Sequence, residues 1–527
     1  NSSIYGFYKY YKADDRQAYA DVMANINKRF GDLSLSANIG GSFTQTYYDE
    51  RGFQGGLKDM SNVFSLYNMT TTLDKDTYPI ESGYKQRTNS IFASAEIGWK
   101  SMLYMTLTGR NDWDSALINT EQSSFFYPSI GLSGVISEMV KLPKAITYLK
   151  VRGSFASVGA PIPKNLSSNK TYEWDPATSQ WKLQTYRPLP KLYPERTNSW
   201  EAGLNAKFFN NSLSLEVTWY KANTRKQTFQ VPLSGTAVYA TMYAQSGNIE
   251  NKGMEFSLGY NKSWGDFSWN SNLTFSFNKN KIVELLDDAV DDEGNHYSLS
   301  EIDKGGIGSA KVILRKGGSM GDMYVTNRLK RDNEGNVYID KASQNVKKED
   351  IKNSDEFIHI GSVLPKSNLG FRNDFSYKGI SLGFMLAARF GGIVISPTQA
   401  VMDQFGVSKV TALARDNEGV PVNNGKVDPQ TYYTEVGGIS GLMSNYVYSA
   451  TNVRLQELSV GYSLPAKWFN NKCNLSLSIT GHNLWMIYNK APFDPEATAS
   501  TGTYYQGVDY FMQPSLRSWG FNVKIQF

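Results

Sequence analysis

The chain has 527 residues, 54 Lys and Arg against 49 Asp and Glu, and a formal net charge of +5. Charge this evenly balanced argues against a nucleic-acid surface, which needs cations clustered on one element. Its single cysteine, Cys473, excludes an internal disulfide, and three dispersed histidines, His296, His359 and His482, leave little for metal or acid–base chemistry. Cys473 is expected in a strand, as a packing residue. Aromatics are abundant (33 Tyr, 27 Phe, 11 Trp), which suits strands and the interfacial girdles of membrane barrels. No apolar run reaches the roughly 18 residues of a membrane helix, a signal that a barrel would not show in any case.

Period-2 alternation marks strands from early in the chain. Leu33, Leu35, Ala37, Ile39 and Phe43 oppose Ser34, Ser36 and Asn38. Leu103, Met105 and Leu107 alternate with Tyr104, Thr106 and Thr108. The pattern returns in Trp200–Phe208, Leu213–Trp219, Leu273–Phe277 and Leu475–Ile479, with small or amide-bearing partners suited to a wet lumen. It ends on Phe521, Val523, Ile525 and Phe527 against Asn522, Lys524 and Gln526. A terminal amphipathic strand with a last-residue Phe is expected to close a membrane barrel.

The connections are as informative. Tight turns fall at Gly31-Asp32, Lys100-Ser101, Asn210-Asn211, Gly265-Asp266 and Lys378-Gly379. Long segments fall near 49–86, 160–195, 281–363, 393–450 and 487–513. Numbered consecutively, the strands put every tight turn at one end and every long loop at the other. That is the asymmetry of bacterial outer-membrane barrels. The expected fold is all-β, a transmembrane antiparallel barrel with about sixteen strands visible. A propeller would show a repeat of about 40–50 residues, and none is present.

Chemistry-bearing motifs are few. No HExxH, GxSxG, Walker loop or cysteine cluster appears, so no enzyme is expected. Oxygen-rich loops around Asp287–Glu293 and at Asp332, Glu334 and Asp340 are candidates for structural Ca²⁺, without EF-hand spacing. Otherwise no cofactor is expected. Sugar or peptide contact calls for aromatic faces beside carboxylates and amides. Asp112, Trp113 and Asp114 at an outer strand end, with Trp174, Trp181, Tyr504 and Tyr505 in loops, are the candidates. Aromatics in the long loops (Tyr172, Tyr186, Tyr432, Tyr433, Tyr446, Tyr448) predict folded excursions.

Six stretches, in order, resemble the SusC/RagA-like TonB-linked outer-membrane transporters of Bacteroidota: RNDWDSAL (110–117) with FFYPSIGLSG (125–134), LYPERTNSWEAGLNAKFFNNSLSLEVTWYKANTRKQ (192–227), GNIENKGMEFSLGY (247–260), ATNVRLQELSVGYSLP (450–465), GHNLWMIYNKAPFDPEA (481–497) and QPSLRSWGFNVKIQF (513–527). In PERTNSWEAGL, Glu195, Arg196 and Glu201 are expected to fix how a strand enters the wall. Gly253 is expected to supply a permissive φ at a strand end. The resemblance implies a twenty-two-stranded barrel with an N-terminal plug, a TonB-engaging segment upstream, and TonB-energised import of oligosaccharides or oligopeptides. It also implies a SusD-like lipoprotein over the mouth, possible dimerisation of the complex, and contact with membrane lipid and lipopolysaccharide. Residues 1–527 are expected to be the C-terminal portion of that barrel, without plug, TonB-engaging segment or signal peptide. A passive porin, a siderophore or cobalamin receptor, and a surface adhesin are the alternatives. Fold alone does not choose the cargo.

Overall fold

In the computed structural model, fifteen of the alternating segments pair with their sequence neighbours in one antiparallel sheet. The structure describes residues 4–70, 77–118, 120, 122–162, 166, 172–175, 180–183, 186–187, 193–232, 241–290, 296–500, 502 and 506–527. The wall strands are β1 (Phe7–Phe30), β2 (Leu33–Gly56), β3 (Tyr78–Trp99), β4 (Leu103–Asp114) and β5 (Ser124–Val135). They continue as β6 (Ile146–Ala160), β7 (Glu195–Phe208), β8 (Leu213–Pro232), β9 (Thr241–Trp264) and β10 (Phe267–Glu284). The last are β11 (Ser367–Tyr377), β12 (Ile380–Phe390), β13 (Asn452–Ser463), β14 (Asn474–Asn489) and β15 (Ser518–Gln526). A two-residue segment, Tyr186–Arg187, adds a short parallel bridge to β9 and makes the sixteenth member.

Register turns alternation into a surface. Leu215 lies opposite Leu258 and Leu258 opposite Leu273; Val217, Phe256 and Phe275 form the next row. Paired residues share a face, so these rows make one apolar band around the outside of the sheet. On β10 the band runs from Phe267 to Phe277. Ten residue-to-residue rises of about 3.4 Å each, tilted about 40°, span about 26 Å, close to the apolar height of a membrane barrel. Outward side chains such as Leu132, Val460 and Ile479 are more than half exposed, uncovered by protein.

Two odd-to-even connections, β5–β6 and β13–β14, are longer segments (136–145 and 464–473), each with a short helical turn; the other five are tight, at the end the parity predicted. Left-handed backbone at Gly31, Lys100, Ser101, Asn210, Asn211, Gly265, Lys378 and Gly379 forms these turns. Beside them stands a girdle of exposed aromatics: Phe30, Trp99, Phe209, Trp264, Tyr377 and Trp468. Lysines lie over several of the rings, with Lys100 Nζ 5.2 Å from Trp99 and Lys378 Nζ 5.4 Å from Tyr377. Long cations reaching past an aromatic belt mark a membrane–water boundary.

Three details differ from the sequence reading. Strands β1, β2 and β9 are each 24 residues long, so much of 49–86 is wall and not loop. A spanning strand needs about 9–11 residues; the rest rises above the band. Gly253 lies inside β9 without positive φ. It is glycine because an added Cβ would sit 2.0 Å from the Phe277 carbonyl oxygen and 2.7 Å from the Tyr220 hydroxyl. Cys473 precedes β14, half-buried in the connection.

The segments after β10 and β12 fold together into a cap. It holds a four-stranded sheet (Glu301–Ile307, Ala310–Arg315, Asp322–Val325, Ile358–Ser362) and three helices. These are α1 (Pro397–Gln404), α2 (Lys409–Asp416) and α3 (Pro429–Val436), started by Ser396, Ser408 and Asp428 as side-chain caps. Val312, Leu314, Met323 and Val325 share a core with Ala400, Met443 and Tyr446, and with Phe229, Ile249 and Ile282 from the tops of β8–β10. Among the described residues, β1 and β15 are the two unpaired edges of the sheet.

Gly253→Val is expected to destabilise the barrel by about 1–3 kcal/mol through overpacking. Gly131→Ala, whose added methyl meets nothing closer than 3.8 Å, should stay within about 0.5 kcal/mol of the parent. Thermal unfolding of both variants in detergent provides the comparison.

Candidate functional site

Alternation along β4 separates three neighbours that look like one cluster in the sequence. Trp113 shares the outer face with Leu107 and Leu103, and is 41% exposed where the band ends. It is an interfacial aromatic. Asp112 and Asp114 point inward and are buried. Asp114 accepts hydrogen bonds from Thr88 Oγ1 (2.6 Å), Gln86 Nε2 (3.1 Å) and the Ala116 amide (2.8 Å). It caps the turn Ser115–Leu117, which drops Leu117 into a cluster with Phe125, Ile162 and Leu166. Asp112 accepts from Arg110 Nε at 2.7 Å and from the Tyr127 hydroxyl. Both carboxylates are committed to holding the upper wall.

Lower on the inner face lies a constellation that the sequence reading did not single out. Arg152 on β6 donates to Asn205 Oδ1 (3.0 Å), Glu216 Oε1 (2.9 Å) and Thr218 Oγ1 (2.7 Å), bridging β6, β7 and β8. Gly203 makes room for it, since a Cβ there would meet Arg152 Nε at 2.6 Å. A cavity of about 540 Å³ opens beside it, with Glu201, Glu255, Thr274, Ser276 and Asn368 in its lining. Three glutamates against one arginine make this part of the wall acidic. Further round, Arg372 bonds Asp374 (2.9 Å) and Glu457 (3.4 Å), and His482 Nδ1 lies 4.0 Å from Glu457. Inward positions of adjacent strands could have been paired from the alternation once the register was known.

At the outer end, Arg454 is buried and joins β13 to the segment after β14. Its Nη2 lies 3.0 Å from Asp494 Oδ1 and 3.1 Å from Glu496 Oε2, while Nε donates to Asn452 Oδ1 at 3.2 Å. Burial works against the Asp494 charge. Hydrogen bonds from Ser515 and the Glu496 amide, with the Arg454 charge, outweigh it and hold the carboxyl below its usual range. The same segment locks onto the cap, where Ser396 Oγ donates to Asp509 Oδ2 at 2.6 Å and the Asp509 amide to the Ile395 carbonyl at 2.8 Å.

The remaining candidates are dispersed. Trp174 and Trp181 are cross-strand partners in a hairpin (Tyr172–Asp175 with Gln180–Leu183), and Trp181 is 66% exposed. Tyr504 and Tyr505 lie outside the described residues. Asp332 accepts the amides of Glu334 and Asn336, and Asp340 accepts from Ser343, so both aspartates shape turns. Of the other acidic run, 291–293 lie outside the described residues. Among the described residues, no group of three or more His, Cys, Asp or Glu is placed to hold a metal ion.

Residues 1–312 match the family model described as TonB dependent receptor-like, beta-barrel. The chain belongs to this TonB-dependent receptor family. Its members are outer-membrane proteins and not enzymes, and the barrel lies in the outer membrane. TonB-dependent receptor P3 of Formosa agariphila is 26% identical, over 95% of this chain and 51% of its own length. TonB-dependent receptor SusC of Bacteroides thetaiotaomicron is 22% identical, over 85% of this chain and 44% of its own. The RagAB peptide importer in its open-open state superimposes with a TM-score of 0.74 at 18% identity, covering 98% of this chain and 54% of that one. The chain thus spans about half the length of the curated relatives it matches.

Two outcomes test the TonB-dependent receptor wall. Arg454→Ala, which strands two carboxylates, should cost about 3–5 kcal/mol, whereas the half-exposed Arg152→Ala should cost under about 1 kcal/mol; thermal melts compare them. Because the Asp494 pKa is depressed, its contribution is present above the usual carboxylate range and is lost as pH falls through that range and below it. Proteolysis within 490–517 should therefore rise below about pH 4 and be unchanged between pH 6 and pH 8.

Proposed function

We propose that these residues are the C-terminal portion of the barrel of a TonB-energised importer for oligosaccharides or oligopeptides. The carrying observation is the inner wall. Carboxylates, amides and hydroxyls line a cavity at Arg152, Glu201, Glu216 and Glu255, beneath a folded exterior cap. Such a surface exchanges hydrogen bonds with a hydroxyl-rich or peptide cargo as water would. The SusC and RagAB relatives support this substrate class and support a SusD-like lipoprotein as the partner over the mouth. We assign cargo contact at the mouth to Trp174, Trp181, Tyr504 and Tyr505, whose residue types suit stacking on sugar rings.

The unpaired edges at β1 and β15 favour this reading over a self-contained porin. Long open edges are aggregation sites, which a membrane cannot satisfy. We assign Phe521, Val523, Ile525 and Phe527 to barrel closure, against strands supplied from elsewhere in the full protein. Phe521 and Phe527 are 67% and 100% exposed at that edge. A plug and a TonB-engaging segment would come from the same remainder.

Purification from outer membranes tests the proposal. The expected species is about twice the 59.0 kDa of these residues, accompanied by a lipoprotein. Uptake of its cargo should be abolished by dissipating the proton gradient. A stable 59.0 kDa species that conducts small solutes with the gradient collapsed would instead establish a porin.

A further inference from the structure

The outer face of β8–β10 carries an unusual row immediately above the apolar band. Trp219, Met254 and Phe277 form the last apolar row, each more than 40% exposed. Two residues further out, Lys221 lies opposite Lys252, and Lys252 opposite Lys279. Three ammonium groups therefore stand side by side on adjacent strands, with backbones about 4.8 Å apart. Like charges directly opposite are destabilising in a sheet.

Glu250, in the next row out, relieves only part of this. It bonds Lys221 at 3.0 Å and Lys252 at 3.2 Å. Lys281 faces Glu250 in register but makes no ion pair with it. Lys279 and Lys281 are exposed and, among the described residues, have no acidic partner. The surrounding outward charges are Arg196, Arg225 and Glu284. Six cations thus meet two carboxylates.

We propose that this lysine row is a binding site for the phosphorylated headgroup of an outer-leaflet glycolipid. The position selects the occupant. The lysines lie at the end of the band away from the short turns, where headgroups of the outer leaflet sit. The apolar row beneath them contacts acyl chains. A phosphate held between Lys252 and Lys279 removes the repulsion along the row, and each interfacial lysine strengthens such binding by about fivefold. Ordinary snorkelling of single lysines would not require three in one row.

The test uses the full-length protein in detergent, with lipid adducts read by native mass spectrometry. Probes are phosphorylated lipid A, the same lipid dephosphorylated, and inorganic phosphate. Phosphorylated lipid A should bind and its dephosphorylated form should not. Lys252→Gln and Lys279→Gln should each weaken binding about fivefold, and the triple variant with Lys221→Gln on the order of a hundredfold. Lys279→Arg should retain it. Equal retention of the two lipid forms, or an unaltered triple variant, would overturn the site. Displacement by equimolar inorganic phosphate would overturn the lipid as its occupant. If the triple variant fails to fold, the two lipid forms on the parent protein decide. The readout is independent of uptake, so it stands or falls apart from the import reading.

Discussion

A strand that crosses lipid must find partners for all of its backbone N–H and C=O groups without water. The rest of this structure follows from that requirement. Each wall strand pairs with its sequence neighbour along nearly its whole length, and the ladder leaves no choice about side-chain direction. Register therefore decides which residues meet lipid, which meet the lumen, and which stand beside one another in rows. The shifts in register are few and local. Those in β13, between Val453 and Arg454 and between Leu455 and Glu457, lie where Arg454 is aimed at the segment beyond β14. A small irregularity in the ladder serves to place a buried charge.

Much of the architecture was legible because it is local. Tight turns, apolar alternation and the parity of loop lengths all depend on residues within a few positions of each other. Their consequences for the wall were direct. Trp113 stands apart from Asp112 and Asp114 for a reason already present in the alternation: adjacent residues on a strand face opposite sides. Gly253 was misread because its constraint is the Phe277 carbonyl on the next strand, not its own φ. What stayed hidden was long-range. Arg152 finds Glu216 across 64 positions, and Ser396 finds Asp509 across 113. No periodicity announces such pairs, and the cap core assembled from two separate loops is hidden for the same reason.

Electrostatics divides by depth and exposure. The wall ion pairs Arg152–Glu216 and Arg372–Asp374 are about 40% exposed and stabilise little. Their contribution is to shape and charge the lumen. Arg454 with Asp494 is different, with both side chains under a tenth exposed. Desolvated charges of that kind tolerate one geometry, so the segment they hold has one seat. The inner wall is thus soft and adjustable, while its outer rim is pinned at a few points.

The shared core of cap and wall has a mechanical consequence. Phe229, Ile249 and Ile282 belong to the transmembrane strands β8–β10, yet they are buried among the cap's own side chains. The isolated bridge between Ile395 and Val508 ties in the segment after β14 as well. The strand ends on the β3–β6 side instead carry a separate small cluster around Leu117 and Phe125. On the β8–β10 side, the strand ends and the cap are therefore one packed body. A load on the cap passes straight into the ends of those three strands, since neither can shift without breaking the shared core.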